Sequence, residues 1–322
     1  MTETMKTTNF SASLGWGYGY VMLAAVLWGV SGSSAKFLFN RGLSAFQLVQ
    51  LRLTIAAGIM FLCILIRNPS LFRISRKDIG YFVILGTAGM ASVQFTYLFA
   101  ISKIHVAAAI LLQDMAPAII AVYSLVFARE SLSRTTLLAM IGSGAGCYLL
   151  VGAYNLDILS MNSAGITAGL LSAAAFATYS LMGEYGMRRY GPWTVLFYAL
   201  LFAAALWNIV RFPLEAFFHS YSSTEWVLIL YIAILGTLVP FGLFLEGINL
   251  IRSARASITV MLEPIIAGIL SYIFLHEVME PLQLTGGVLV IASVVLLQMK
   301  QEYDDKTPDI LRAKYQNEKD RL

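Results

Sequence analysis

The sequence predicts an all-α polytopic membrane protein: ten transmembrane helices in two inverted five-helix repeats, with both termini cytoplasmic. Three observations carry that reading: long apolar runs, an uneven distribution of Lys and Arg between their loops, and a Pro-to-Glu pattern that recurs at one offset. The chain is 58% hydrophobic and only 12% charged, where soluble domains carry about 25% charged residues. Its mean hydropathy of +0.74 comes from runs rather than scattered patches, and runs of about 20 apolar residues cross the hydrocarbon as helices.

A polar segment, 1–16, precedes the first run, 17–39, which is long enough to span rather than be cleaved as a signal peptide. The runs 44–66, 79–102, 106–128 and 135–153 complete a first half. The break "RNPSLFRISRKD" (67–78) is rich in charge and turn residues, and "YNLDILSMN" (154–162) parts the halves. The second half holds 163–183, 192–210, 226–250, 256–275 and 281–299, followed by a charged tail, 300–322. With the N-terminus inside, the inner loops hold ten basic residues, Arg188, Arg189, Arg252 and Arg255 among them; the outer loops hold only Arg41, Lys103 and Arg211. That asymmetry sets the orientation. The domains expected are therefore 1–16, a repeat at 17–153, a repeat at 163–299, and the tail, read as solvated or as a short exposed helix.

Shifting the chain by 147 residues lays "DMAPAIIAVYSLVFARE" (114–130) on the segment ending "HE" at 277. Pro117 meets Pro264, Ser124 meets Ser271 and Glu130 meets Glu277. "ILGT" also occurs twice, at 84–87 and 234–237. Five spans per copy is an odd number, so the second copy enters the membrane in the opposite sense, the architecture secondary transporters use for alternating access.

These residues also carry a family resemblance. "LWGVS" (27–31), Arg52, "MAP...ARESLS" and "LEP...LHEVME" resemble the drug/metabolite transporter superfamily, specifically its EamA-type members, over roughly 17–299. The resemblance implies a ten-helix basket whose central cavity is lined by the first, third, fourth, sixth, eighth and ninth helices. It also implies movement of small metabolites, often amino acids and frequently outward.

Ionisable groups inside the membrane cost at least ~2.5 kcal/mol at a helix centre, so each is a site candidate. Asp114 and Arg52 each lie roughly 12 Å from the outer surface, counted at 1.5 Å per residue, and are expected to form a buried ion pair. Glu263 lies roughly 10 Å from the inner surface. The two carboxylates are not symmetry mates, because Asp114 aligns with Met261 and Glu263 with Ala116. Pro117 and Pro264 free the carbonyls of Gln113 and Val260, and Pro240 is a third expected kink. Freed carbonyls at membrane depth belong beside polar space. Trp28, Gln94, Tyr97, Gln113, Asp114, Tyr179 and Glu263 are the substrate-binding candidates; Trp28 either packs the core or faces substrate. Glu246 is expected to reach Arg252 or Arg255, and Glu184 to cluster with Arg188 and Arg189. Glu130 and Glu277 read as turn braces, and "GSGAG" (142–146) as close helix packing.

Cys63 and Cys147 both lie in apolar runs, which argues against a disulfide framework. No phosphate-cradling loop is present, and His105, His219 and His276 lack metal-ligand spacing. The expectation is an inner-membrane secondary transporter, monomeric, without cofactor, metal or nucleic-acid partner. It exports a small polar metabolite, an amino acid or related amino compound that is zwitterionic or cationic, with Glu263 and Asp114 as candidates for proton coupling because a desolvated carboxylate is more readily neutral. The competing readings are an uncoupled facilitator, exchanger or importer, and a receptor or assembly subunit that binds without moving its ligand.

Overall fold

The computed structural model describes residues 2–130, 132–155, 161–275, 280–299 and 306–319, and every regular element among them is helical. α1 (Thr2–Asn40) and α2 (Ala45–Arg67) are joined through Ser44, which accepts the Gln47 N–H while the Gln47 side chain accepts its own. That reciprocal cap satisfies donors the helix start would leave bare. α3 (Ile79–Ile84), a π-helical segment (Leu85–Ala91) and α4 (Ser92–Lys103) make one continuous rod. α5 (Val106–Gln113) and α6 (Ala116–Val126) are two pieces of one span, and α7 (Arg134–Leu150) follows. The second half begins with α8 (Ser163–Met187) and α9 (Pro192–Val210). α10 (Ser223–Ala233), a second π segment (Ile234–Leu238), α11 (Val239–Val260) and α12 (Glu263–Leu275) run on from there. α13 (Pro281–Met299) and α14 (Pro308–Lys319) close the chain.

The prolines decide where helices restart. Pro117 stands second in α6 and Pro264 second in α12, after breaks at 114–115 and 261–262. A first-turn proline is tolerated because its missing N–H would have no acceptor there anyway. Pro240 likewise stands second in α11, and the irregularity is the π segment before it rather than a kink at the ring. The two copies of "ILGT" each run into a π segment. Such segments loosen the hydrogen-bond ladder and recur at functional sites.

α1 packs along α11, α4 against α8, α2 against α9, and α7 along α13. The α7–α13 contact is backbone to backbone: a Cβ on Gly146 would lie 2.8 Å from the Gly286 carbonyl oxygen. The "GSGAG" run is therefore an intrachain packing stripe. Eight segments among the described residues are long and apolar enough to cross a membrane. One of them, Ser223–Ile269, has 47 residues, roughly 70 Å at 1.5 Å per residue against ~30 Å of hydrocarbon. It is interrupted at Arg252 (φ 68°) and at 261–262. α7, at 17 residues, is shorter than the eight. Ile66, Ile209 and Val288 stay exposed on the outside, as side chains facing lipid do.

The tail is more than an exposed helix. Arg312 of α14 donates to the Met187 and Tyr190 carbonyls at 2.8 and 3.1 Å and to Asn249 Oδ1 at 3.1 Å, tying the tail to α8 and α11. Glu246 lies beside this Arg312. Lys36 donates to the Ile101 and Ile104 carbonyls, so it caps the end of α4. Glu277 lies outside the described residues.

Candidate functional site

At the centre lies a cavity of about 30 Å³, room for a water or two. Six residues singled out from the sequence converge on it: Trp28, Arg52, Gln94, Tyr97, Gln113 and Glu263. They come from α1, α2, α4, α5 and α12, while Phe176 of α8 and Phe241 of α11 complete the wall. Trp28 packs in the core and also borders the cavity. Its ring packs edge-on against Phe241, Phe244 and Phe176 at 4.8, 5.5 and 6.0 Å, and it lines the cavity.

Glu263 is 2% exposed and is the first residue of α12, where the helix restarts behind Pro264. Tyr97 donates its hydroxyl to Glu263 Oε1 at 3.2 Å. Small residues of α1 permit this approach. A Cβ on Gly29 would lie 3.0 Å from the Glu263 carbonyl oxygen, and one on Gly32 would lie 3.3 Å from the Tyr97 hydroxyl. Gln113 is held from α8, accepting from the Ser172 hydroxyl at 3.0 Å.

The expected Arg52–Asp114 pair is not formed. Arg52, 3% exposed, donates from Nε to Thr237 Oγ1 and from Nη2 to the Gly236 carbonyl, both at 2.8 Å. Those acceptors sit in the second π segment. Asp114 stands in the break between α5 and α6 and turns to α7, where Cys147 Sγ donates to its Oδ2 at 2.9 Å. Tyr179 also stays off the cavity wall. It is fully buried beside Phe241, ring centroids 5.4 Å apart, with its hydroxyl unpartnered.

Sequence reasoning missed Cys147, Thr237 and Phe241. Apolar runs hide all three, although the repeated "ILGT" marked the segment that holds Thr237.

A second cavity, about 530 Å³, opens where α6 and α8 end and α11 breaks at Arg252. One ion network crosses it. Arg252 donates from Nη2 to Glu130 Oε2 at 2.7 Å and from Nε to Glu184 Oε1 at 3.0 Å. Lys306 of the tail reaches Glu130 Oε1 at 3.1 Å, and Ser253 donates its N–H and hydroxyl to Glu184 Oε2. Burial alone would raise the Glu130 pKa, but the bonds from Arg252 and Lys306 outweigh it and hold it below the usual carboxylate value. Glu130 thus ties distant elements together through its side chain, while its N–H closes the turn on the Ser124 carbonyl at 2.9 Å. Arg188 is 3.9 Å from Glu184, whereas Arg189 pairs with Asp78 at 3.4 Å; Arg252, not Arg189, completes the Glu184 cluster.

A helical body with lipid-facing apolar sides and a small central cavity, lined by polar and aromatic side chains, defines a multi-pass integral membrane protein. The sequence pattern of the EamA-like transporter family matches residues 15–152 and again 163–299. The inner membrane transporter YicL of Salmonella typhimurium is 30% identical over 285 residues, covering 87% of this chain and 94% of its own. The threonine/homoserine exporter RhtA of Escherichia coli is 27% identical over 159 residues, 48% of this chain and 52% of its own. A chain of known crystal structure shares the fold, with a TM-score of 0.70 at 18% identity over 90% of this chain and 97% of that one. The protein belongs to the EamA-like transporter family. It is a multi-pass integral membrane transporter with a small-molecule substrate.

Proposed function

We propose that the chain is a secondary active transporter that exports a small polar amino compound by alternating access, coupled to protons through Glu263. It acts as a monomer of ten spans, in inverted halves at 17–153 and 163–299, with both termini cytoplasmic. The long Ser223–Ile269 segment counts as two spans because of its breaks, and α7 counts as one because about 17 residues suffice to cross. The repeat is supported by proline breaks 147 residues apart, a π segment in each half, and the separate family matches. Exchanging the halves also turns the α1–α11 contact into the α4–α8 contact and leaves α2–α9 and α7–α13 unchanged.

The observation that carries the reading is Glu263. A carboxylate at the start of a half-helix, within a polar cavity between the two halves, is where secondary transporters hold substrate and coupling ion. The likeness to RhtA, a threonine/homoserine exporter, supports amino acids and outward movement. The test is flux of labelled amino acids in proteoliposomes under an imposed pH gradient. Wild-type flux follows the gradient, and Glu263→Gln abolishes the response. Flux indifferent to the gradient in both would mean an uncoupled exchanger, and saturable binding without flux would mean a receptor.

A further inference from the structure

Arg52 carries a charge that the protein does not neutralise. Among the described residues, both its hydrogen bonds go to neutral oxygens, Thr237 Oγ1 and the Gly236 carbonyl, and every salt bridge is made by another basic residue. A buried arginine normally has a carboxylate partner, because desolvating an unpaired charge costs several kcal/mol. The exception stands on the wall of the central cavity. Two bonds fix the guanidinium plane from behind, and its Nη1 makes no hydrogen bond. A planar guanidinium with donors to spare matches a carboxylate.

Glu263 lines the same space, with a hydrogen bond to Oε1 from Tyr97 and, among the described residues, none to Oε2. The cavity therefore presents one fixed cation from α2 and one carboxylate from α12 that do not pair with each other. Trp28, Phe176 and Phe241 form an apolar wall beside them. We propose that Arg52 receives the carboxylate and Glu263 the ammonium group of a zwitterionic α-amino acid, whose side chain lies against the three aromatic rings. This rests on the transporter reading above and narrows it, excluding amines that lack a carboxylate. At about 30 Å³ the cavity is closed down, so the amino acid enters when the aromatic wall moves apart.

The test is thermal stabilisation of the purified full-length protein by the twenty common L-amino acids, each compared with its methyl ester, its N-acetyl form and its decarboxylated amine. The expected result is that at least one free amino acid stabilises the wild type, while its ester, N-acetyl form and amine bind at least tenfold more weakly. In Arg52→Lys, which keeps the charge but loses the fork, the preference for acid over ester falls at least tenfold. A wild type stabilised equally by acid and ester overturns the assignment, as does one that no amino acid stabilises. Because these comparisons use the wild type, they hold even if Arg52→Lys does not fold. Counterflow separates the two failures: an amine that binds and moves sinks the Arg52 role and leaves the transporter standing, whereas an amino acid that binds without moving does the reverse.

Discussion

Arg252 donates to Glu184 Oε1 over 3.0 Å from a backbone held at φ 68°. A non-glycine residue there costs about 1–3 kcal/mol, so the ion network holds the chain in a conformation it would otherwise leave. Glu184→Ala removes the acceptor of Arg252 and Ser253 and is expected to cost about 3 kcal/mol, read as a lowered Tm. Arg252→Gly should be more stable than Arg252→Ala by about 1 kcal/mol, since both lose the pairs and only Gly escapes the strain.

Acid should loosen the same network. The Glu130 pKa is depressed in the folded state below 4.5, so its contribution is present above pH 4.5 and is lost as pH falls through the folded value. Tm measured from pH 7 down to pH 3 should show this loss. Glu130→Gln should show a smaller drop and a lower starting Tm.

Tyr97→Phe removes the one side-chain hydrogen bond that the described residues give the Glu263 carboxylate. A hydrogen bond contributes about 0.5–1.5 kcal/mol net, and the Tm should fall accordingly. The double variant with Glu263→Gln should lose less than the two single losses added, because both touch one contact.

Gly286→Leu should separate α7 from α13. A Cβ at this position would already lie 2.6 Å from the Gly146 carbonyl oxygen, and overpacking costs about 1–3 kcal/mol. The lowered Tm should not be accompanied by a changed ligand preference, because neither helix lines the central cavity.

Arg312→Ala should release α14. Its three acceptors belong to α8, the turn after it, and α11, so protease cleavage of the tail in membrane vesicles should accelerate at least tenfold.

Hydropathy alone revealed the class, and the Pro117–Pro264 spacing revealed the two helix breaks, because a missing N–H acts locally wherever the chain goes. Buried charge at Arg52, Asp114 and Glu263 was legible for the same reason: its cost is a property of the residue and the lipid. Partner choice was not legible. Counting residues put Arg52 and Asp114 at one depth, but depth leaves open the direction in which a side chain leaves its helix.

The sequence by itself determined a multi-pass helical transporter with polar groups at its centre, since apolar length and desolvation cost are written residue by residue. Only the tertiary structure decided that Asp114 turns to Cys147, that Arg52 reaches the π segment of the other half, and that Glu263 is left facing it across a cavity. Those choices depend on which helix faces pack together and which carbonyls an irregular turn sets free, and both are settled by contacts between residues more than a hundred positions apart in most cases.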